Sequence, residues 1–263
     1  MIMGKFLIND FKRAITSKGA KWYLICTAAL ILVANIAVIC FRFIYGSNEG
    51  TFAYNVFEYA SWCFLIPYYS CIVIAMIAVG QEYVRPQKNG MMLTCRDAKH
   101  TFAPAALYIE KLAVSVMIAA LFLVVAFAVL YVITLLFHID EGIMPWPIVK
   151  NFLNKALISL TLWFAGISFA IMFLFIFEKR LKAVIGYAIV TVVIPQIIRV
   201  LSLDTFKLGF ARAIRRYTIT QSFGLVPYPS YPDRSVPLIV TIGLVYGIIA
   251  IVIGITVYTR KAK

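Results

Sequence analysis

Acidic residues are scarce in this chain: 11 Asp and Glu stand against 25 Lys and Arg, with 2 histidines and 5 cysteines among 263 residues. Few carboxylates means that no buried acid set of the kind used by proton- or sodium-driven carriers is in evidence. Few histidines leaves little for acid–base or metal chemistry inside a membrane. His100 falls in a loop and His138 at the far end of an apolar run, well separated in sequence. No CxxC pair occurs: Cys26, Cys40, Cys63 and Cys71 lie in apolar runs and Cys95 in a basic loop. They read as small hydrophobic residues, not as a zinc site or a disulfide framework. A GxxxxGK[ST] phosphate loop is also missing, so the chain does not cradle ATP in that manner. Charge as a whole is sparse, at 14% against about 25% in soluble domains.

Apolar sequence fills the space. The chain is 63% hydrophobic, with a mean hydropathy of +0.92. A span needs about 20 largely apolar residues to cross roughly 30 Å of hydrocarbon. Six runs meet that need or come close: Trp22–Phe41, Tyr59–Gly80, Leu112–Phe137, Phe152–Phe177, Ala183–Ile198 and Val236–Tyr258. Their interiors read as essentially free of charge, since a central Asp, Lys or Arg costs roughly 2.5–3.5 kcal/mol. The stretch Ser202–Ser235 holds Asp204, Lys207, Arg212, Arg215, Arg216, Asp233 and Arg234, which excludes a seventh span. The expectation is an all-α, polytopic membrane protein of six transmembrane helices in one domain, 1–263. Trp22, Tyr23, Tyr45, Tyr59, Trp62 and Trp146 near run ends fit interfacial aromatic belts. The first 21 residues carry Lys5, Lys12, Arg13, Lys18 and Lys21 without a short apolar core or small-residue cleavage site, unlike a cleavable signal.

Loop charge sets an expected orientation. With the N-terminus inside, sixteen of the 25 Lys and Arg fall on the inner side, so the positive-inside rule puts both termini in the cytoplasm. Against this, Arg199–Arg234 carries six of the nine outer positives. The net charge of +14 is spread as short clusters flanking apolar runs, without a nucleic-acid-binding motif. Anionic lipid headgroups account for it, and no nucleic acid partner is expected.

Four segments stand out. In Lys5–Lys18, the residues Leu7, Ile8, Phe11, Ala14 and Ile15 share one helical face opposite Lys5, Asn9, Lys12, Arg13 and Thr16, which predicts an amphipathic surface helix within 1–21. The alternative is a plain topogenic flank. The loop 81–111 is long and charged, broken by Pro86 and Gly90. Thr94 and Asp97 are spaced to cap a short helix displaying Lys88, Arg96 and Lys99 beside an apolar strip of Met91, Met92, Leu93 and Phe102. That pattern suits docking of a soluble partner; the alternative is a solvated positive-inside loop. Within the outer segment 199–235, Leu203, Phe206, Phe210, Ala213, Ile214 and Tyr217 share a face opposite Arg212, Arg215 and Arg216, before an irregular stretch with Pro227, Pro229 and Pro232. It reads as a membrane-lying connector or as a gate that meets anionic lipid or substrate. Gly243 and Gly247 form GxxxG, for packing within the chain or against a second subunit. Pro195 should kink the fifth span next to Gln196.

Two of these segments resemble a known family. The surface helix and first span, INDFKRAITSKGAKWYL, look like the opening of type-2 ATP-binding-cassette (ABC) exporter permeases, closest in flavour to bacitracin or lantibiotic export and immunity systems. Glu82, Gly90, Met92-Leu93, Arg96 with Lys99, and Lys111 follow the family's order from second to third span. The interval from Glu82 to Gly90 is longer than usual and contains Pro86. The resemblance implies a cytoplasmic coupling helix in 81–111, with Glu82, Arg85, Lys88, Gly90, Met92, Arg96 and Lys99 at the ATPase-docking surface. It implies a separate ABC ATPase subunit that holds ATP and magnesium, a second permease copy or related permease, and a place in the bacterial plasma membrane. This chain would bind no cofactor itself and would not be an enzyme. A non-transporting sensor or scaffold shares the same topology. An intramembrane enzyme finds little support in the residues.

Overall fold

The computed structural model describes residues 2–45, 52–80, 104–137, 146–177, 179–203, 208–227 and 235–261. Among the described residues the fold is all-α, and five helices are long and apolar enough to cross a membrane. A bent pair of shorter helices raises the number of crossings to six where the pair counts as one span. The chain is membrane-embedded and polytopic.

Helix α1, Ile2–Thr16, is the amphipathic N-terminal helix. Its Leu7, Phe11 and Ala14 pack on the bundle, while Ile8, expected on the same face, is half exposed. Ser17 separates it from α2, Lys18–Tyr45, and caps α2 by accepting from the Ala20 N–H at 3.1 Å.

The second run is not one straight helix. It divides into α3, Phe52–Trp62, and α4, Leu65–Val79, which meet at 57°. Pro67 explains the break: it lacks the N–H that would bond the Cys63 carbonyl, and its ring crowds that carbonyl. The turn is closed by shorter-range bonds, Cys63 N–H to Ala60 O at 3.1 Å and Ile66 N–H to Cys63 O at 2.9 Å.

Helix α5 spans Pro104–Phe137, eight residues earlier than the apolar run begins. Its 34 residues rise about 50 Å, well beyond the hydrocarbon thickness. Helix α6, Trp146–Ile176, is the central post: 72% of its apolar window is buried, against 11% for the α2 span. It contains Lys155, so the fourth run does not have the uncharged interior expected of it.

The fifth crossing also departs from its expected limits, running Arg180–Leu201 through Arg199. Helix α7, Arg180–Ala188, leads into a π-helical turn, Ile189–Val193, and then α8, Ile194–Leu201. The wide turn sits just ahead of Pro195, which leaves the Thr191 carbonyl without its ordinary partner. The Ile194 N–H instead bonds Ile189 O, five residues back.

After the fifth crossing the expected surface helix is shorter than its apolar face suggested. Helix α9 covers Gly209–Arg216, with Phe210, Ile214 and Tyr217 exposed. An unexpected helix follows, α10, Ile219–Leu225, capped by the Thr218 hydroxyl and burying Ile219, Ser222 and Phe223. Pro229 and Pro232 lie outside the described residues.

Helix α11, Ser235–Lys261, lies along α6. Gly243 faces the backbone of Thr161, and Gly247 faces the ring of Phe164, so both glycines of GxxxG serve packing within the chain. A methyl group at Gly243 would fall 2.5 Å from the Thr161 carbonyl carbon, whereas at Gly247 it would meet only a side chain as closely. Gly243→Ala is therefore expected to cost about 1–3 kcal/mol, more than Gly247→Ala, measured by thermal denaturation of the purified protein in one detergent.

Candidate functional site

Two polar regions interrupt the apolar bundle, one at each end. The first is a charged collar where α1, α4, α5 and α7 meet. Its chemistry begins on α1, whose single acidic residue, Asp10, lies three residues before Arg13 and 3.4 Å from its guanidinium. Asp10 also takes the ammonium of Lys111, which is only 5% exposed near the start of α5. An amine buried this far in the protein must be paired, because it has given up its water. Glu110, next to it, is buried within reach of the Arg13 charge, and its Oε1 has no hydrogen-bond partner among the described residues.

The end of α4 is held from two sides. Arg13 donates to Ala78 O at 3.4 Å. Gly80 closes the helix by donating to Met76 O at 3.1 Å, and its own carbonyl accepts from Arg180 at the start of α7. Gly80 has φ +76°, the left-handed conformation that glycine adopts without strain. A Cβ there would also stand 3.3 Å from Nη2 of Arg13. Nearby, Lys261 at the end of α11 donates to Ile176 O at 2.5 Å, so the C-terminal end of α11 and the end of α6 share this face.

The collar thus fixes both ends of the segment 81–103: Gly80 on one side, α5 with Lys111 on the other. The proposed docking residues themselves, Glu82, Arg85, Lys88, Gly90, Met92, Arg96 and Lys99, lie outside the described residues, as do the Thr94–Asp97 cap and the apolar strip. Lys111, counted with them by resemblance, is buried and bound to Asp10. Gly243, Gly247 and Pro195 belong to the bundle rather than to this site. Sequence reasoning did not single out Asp10, Gly80, Glu110 or Arg180. A lone acid in a basic helix, and an acid–base dipeptide at the edge of an apolar run, were the available signals.

The second region is at the opposite end, where Glu58 of α3 meets Lys155 of α6 at 2.8 Å. From there an aromatic seam runs inward through Phe57–Phe152 (5.1 Å), Phe152–Phe64 (5.3 Å), Phe64–Trp163 (5.3 Å) and Trp163–Phe223 (6.4 Å). Phe223 also meets Tyr68 at 5.4 Å. Tyr68 is eleven residues from the end of α4, so the Phe223 ring reaches to within about 17 Å of the collar end of that helix. Trp163 Nε1 donates to Phe64 O at 2.9 Å, where the break between α3 and α4 frees a carbonyl.

Among the described residues, neither region presents a nucleophile beside a base. Among the described residues no group of three His, Cys, Asp or Glu side chains is placed to hold a metal ion. The collar holds four helices together. A scan against family models, a search of curated proteins and a search of solved structures each find no match. Should the Asp10–Lys111 pair fasten α1 to the bundle, a double-mutant cycle of Asp10→Asn and Lys111→Met will give a coupling of about 1–3 kcal/mol in thermal unfolding. Additive effects of the two substitutions would assign the fastening to packing alone.

Proposed function

We propose that this chain is the membrane-spanning permease subunit of a bacterial ABC exporter, seated in the plasma membrane with both termini in the cytoplasm. A separate ATPase subunit binds ATP and magnesium. Two copies of the chain, or one copy with a related permease, complete the transporter. ATP binding closes the ATPase pair, displaces the 81–111 loops, and shifts the spans from inward- to outward-facing as packed bodies. The cargo class is an amphipathic or peptide molecule, consistent with export of, or immunity to, an antimicrobial peptide.

The observation that carries this reading is the double hold on the end of α4, where Arg13 of α1 donates to Ala78 O and Arg180 of α7 donates to Gly80 O, at the start of the loop. A push on that loop reaches two helices at once, as a coupling element requires. The basic loop sequence, the positive-inside balance and the lack of a phosphate loop in the chain support the same reading.

Two experiments test it. Expressed with its genomic neighbours, the tagged protein should bring down an ATPase; none bound under mild extraction would end the proposal. Within that complex, Arg96→Glu with Lys99→Glu should reduce permease-stimulated ATP hydrolysis roughly fivefold or more while leaving the melting temperature in place. Unchanged stimulation would put the docking surface elsewhere. ATP-driven peptide movement in proteoliposomes separates the exporter from a sensor or scaffold.

A further inference from the structure

The Glu58–Lys155 pair has no part in the coupling described above. Its position is costly: Lys155 is buried, and Glu58 is only 22% exposed, both within membrane-crossing helices. A pocket on which charged groups converge is the natural place to look for a ligand. A pocket of about 230 Å³ opens onto the pair, walled by Phe57, Phe152 and Pro147 and edged by Tyr54 and Asn151. Among the described residues, Lys155 directs its ammonium to Glu58 alone, so donors remain for another molecule. Asn151 is exposed and adds an amide.

Depth narrows the class of ligand. Lys155 lies 21 residues from Ile176, about 30 Å along the helix and thus one hydrocarbon thickness from the collar. The exposed rings of Tyr54 and Tyr59 flank Glu58 on α3, and exposed Trp146 lies nine residues, about 13 Å, beyond Lys155 on α6, as an interfacial belt does. The pocket therefore opens where headgroups lie. A phosphate alone would leave Glu58 opposed, and an amine alone would leave Lys155 opposed. A zwitterion matches both charges and keeps the site neutral.

We infer that this pocket binds a phosphoethanolamine-type zwitterionic headgroup, with its phosphate on Lys155 and Asn151 and its ammonium on Glu58. The N–H donors matter: a phosphocholine group has none to offer the Glu58 carboxylate and should be rejected roughly tenfold. An anionic phosphoglycerol headgroup lacks the cation.

The test is lipid retention. The full chain, purified from equimolar phosphatidylethanolamine, phosphatidylcholine and phosphatidylglycerol, is examined for bound lipid by native mass spectrometry. Native protein should retain phosphatidylethanolamine roughly tenfold over phosphatidylcholine, and both Lys155→Gln and Glu58→Gln should abolish the preference. Asn151→Asp leaves the ion pair in place at an exposed position, and should weaken retention even if the pair variants misfold. Competition with free phosphoethanolamine distinguishes the sources. Displacement assigns recognition to the headgroup alone and resistance assigns it to the anchored lipid, and both outcomes uphold the zwitterion. Equal retention of ethanolamine and choline lipids by the native chain, or a preference that survives Asn151→Asp, overturns the assignment and leaves the pair a tie between α3 and α6.

Discussion

Hydrocarbon offers no partner to a charge or an unbonded peptide group, and nearly every irregular feature of this molecule answers that constraint. Lys111 finds Asp10, and Lys155 finds Glu58. Buried hydroxyls turn back on their own helices: Ser115 to Lys111 O, Ser159 to Lys155 O, Thr134 to Leu130 O and Thr191 to Tyr187 O. Where proline disrupts the backbone, something else takes up the freed groups. The indole of Trp163 meets the carbonyl at the α3–α4 break, and a π-helical turn absorbs Pro195. These breaks let α3 slant and α10 dip inward without stranding polar atoms.

Packing then organises what polarity permits. Helix α6 carries the core, with α11 pressed on it through the two glycines and α4 on another side. Its ends mark the two polar regions: Ile176 by the collar and Lys155 by the opposite groove. Asn35 of α2 bonds Thr134 of α5 at 3.3 Å, a polar contact between helices of the kind common in membrane bundles.

Most crossings were legible from hydropathy alone, because burial in lipid demands long apolar runs. The boundaries were not. Helix α5 begins at Pro104 because α1 and its charges give the extra turns something to pack on, which a run of hydropathy does not register. The break at Cys63–Phe64 was written in Pro67, three residues into α4, but an otherwise continuous apolar run concealed it. Helix α10 is too short and too mixed for a periodicity signal, although Thr218 as a cap with Ile219 and Phe223 one turn apart carries the local instruction. The ion pairs were least legible. Asp10 and Lys111 are about a hundred residues apart in sequence, as are Glu58 and Lys155, and such partners are found only by folding.

The two ends of the bundle are tied differently. At the collar, Arg13, Lys111, Arg180 and Lys261 each reach across to a different helix. Toward the other end the described ties are of mixed kinds: the Glu58–Lys155 ion pair, the Trp163 indole on the Phe64 carbonyl, Arg42 over the Phe52 ring, and Arg215 on Ser202 and Gln221. The collar is thus held by long cationic side chains that tether one helix to the next, and the opposite end largely by packed rings, as where Phe223 rests against Tyr68.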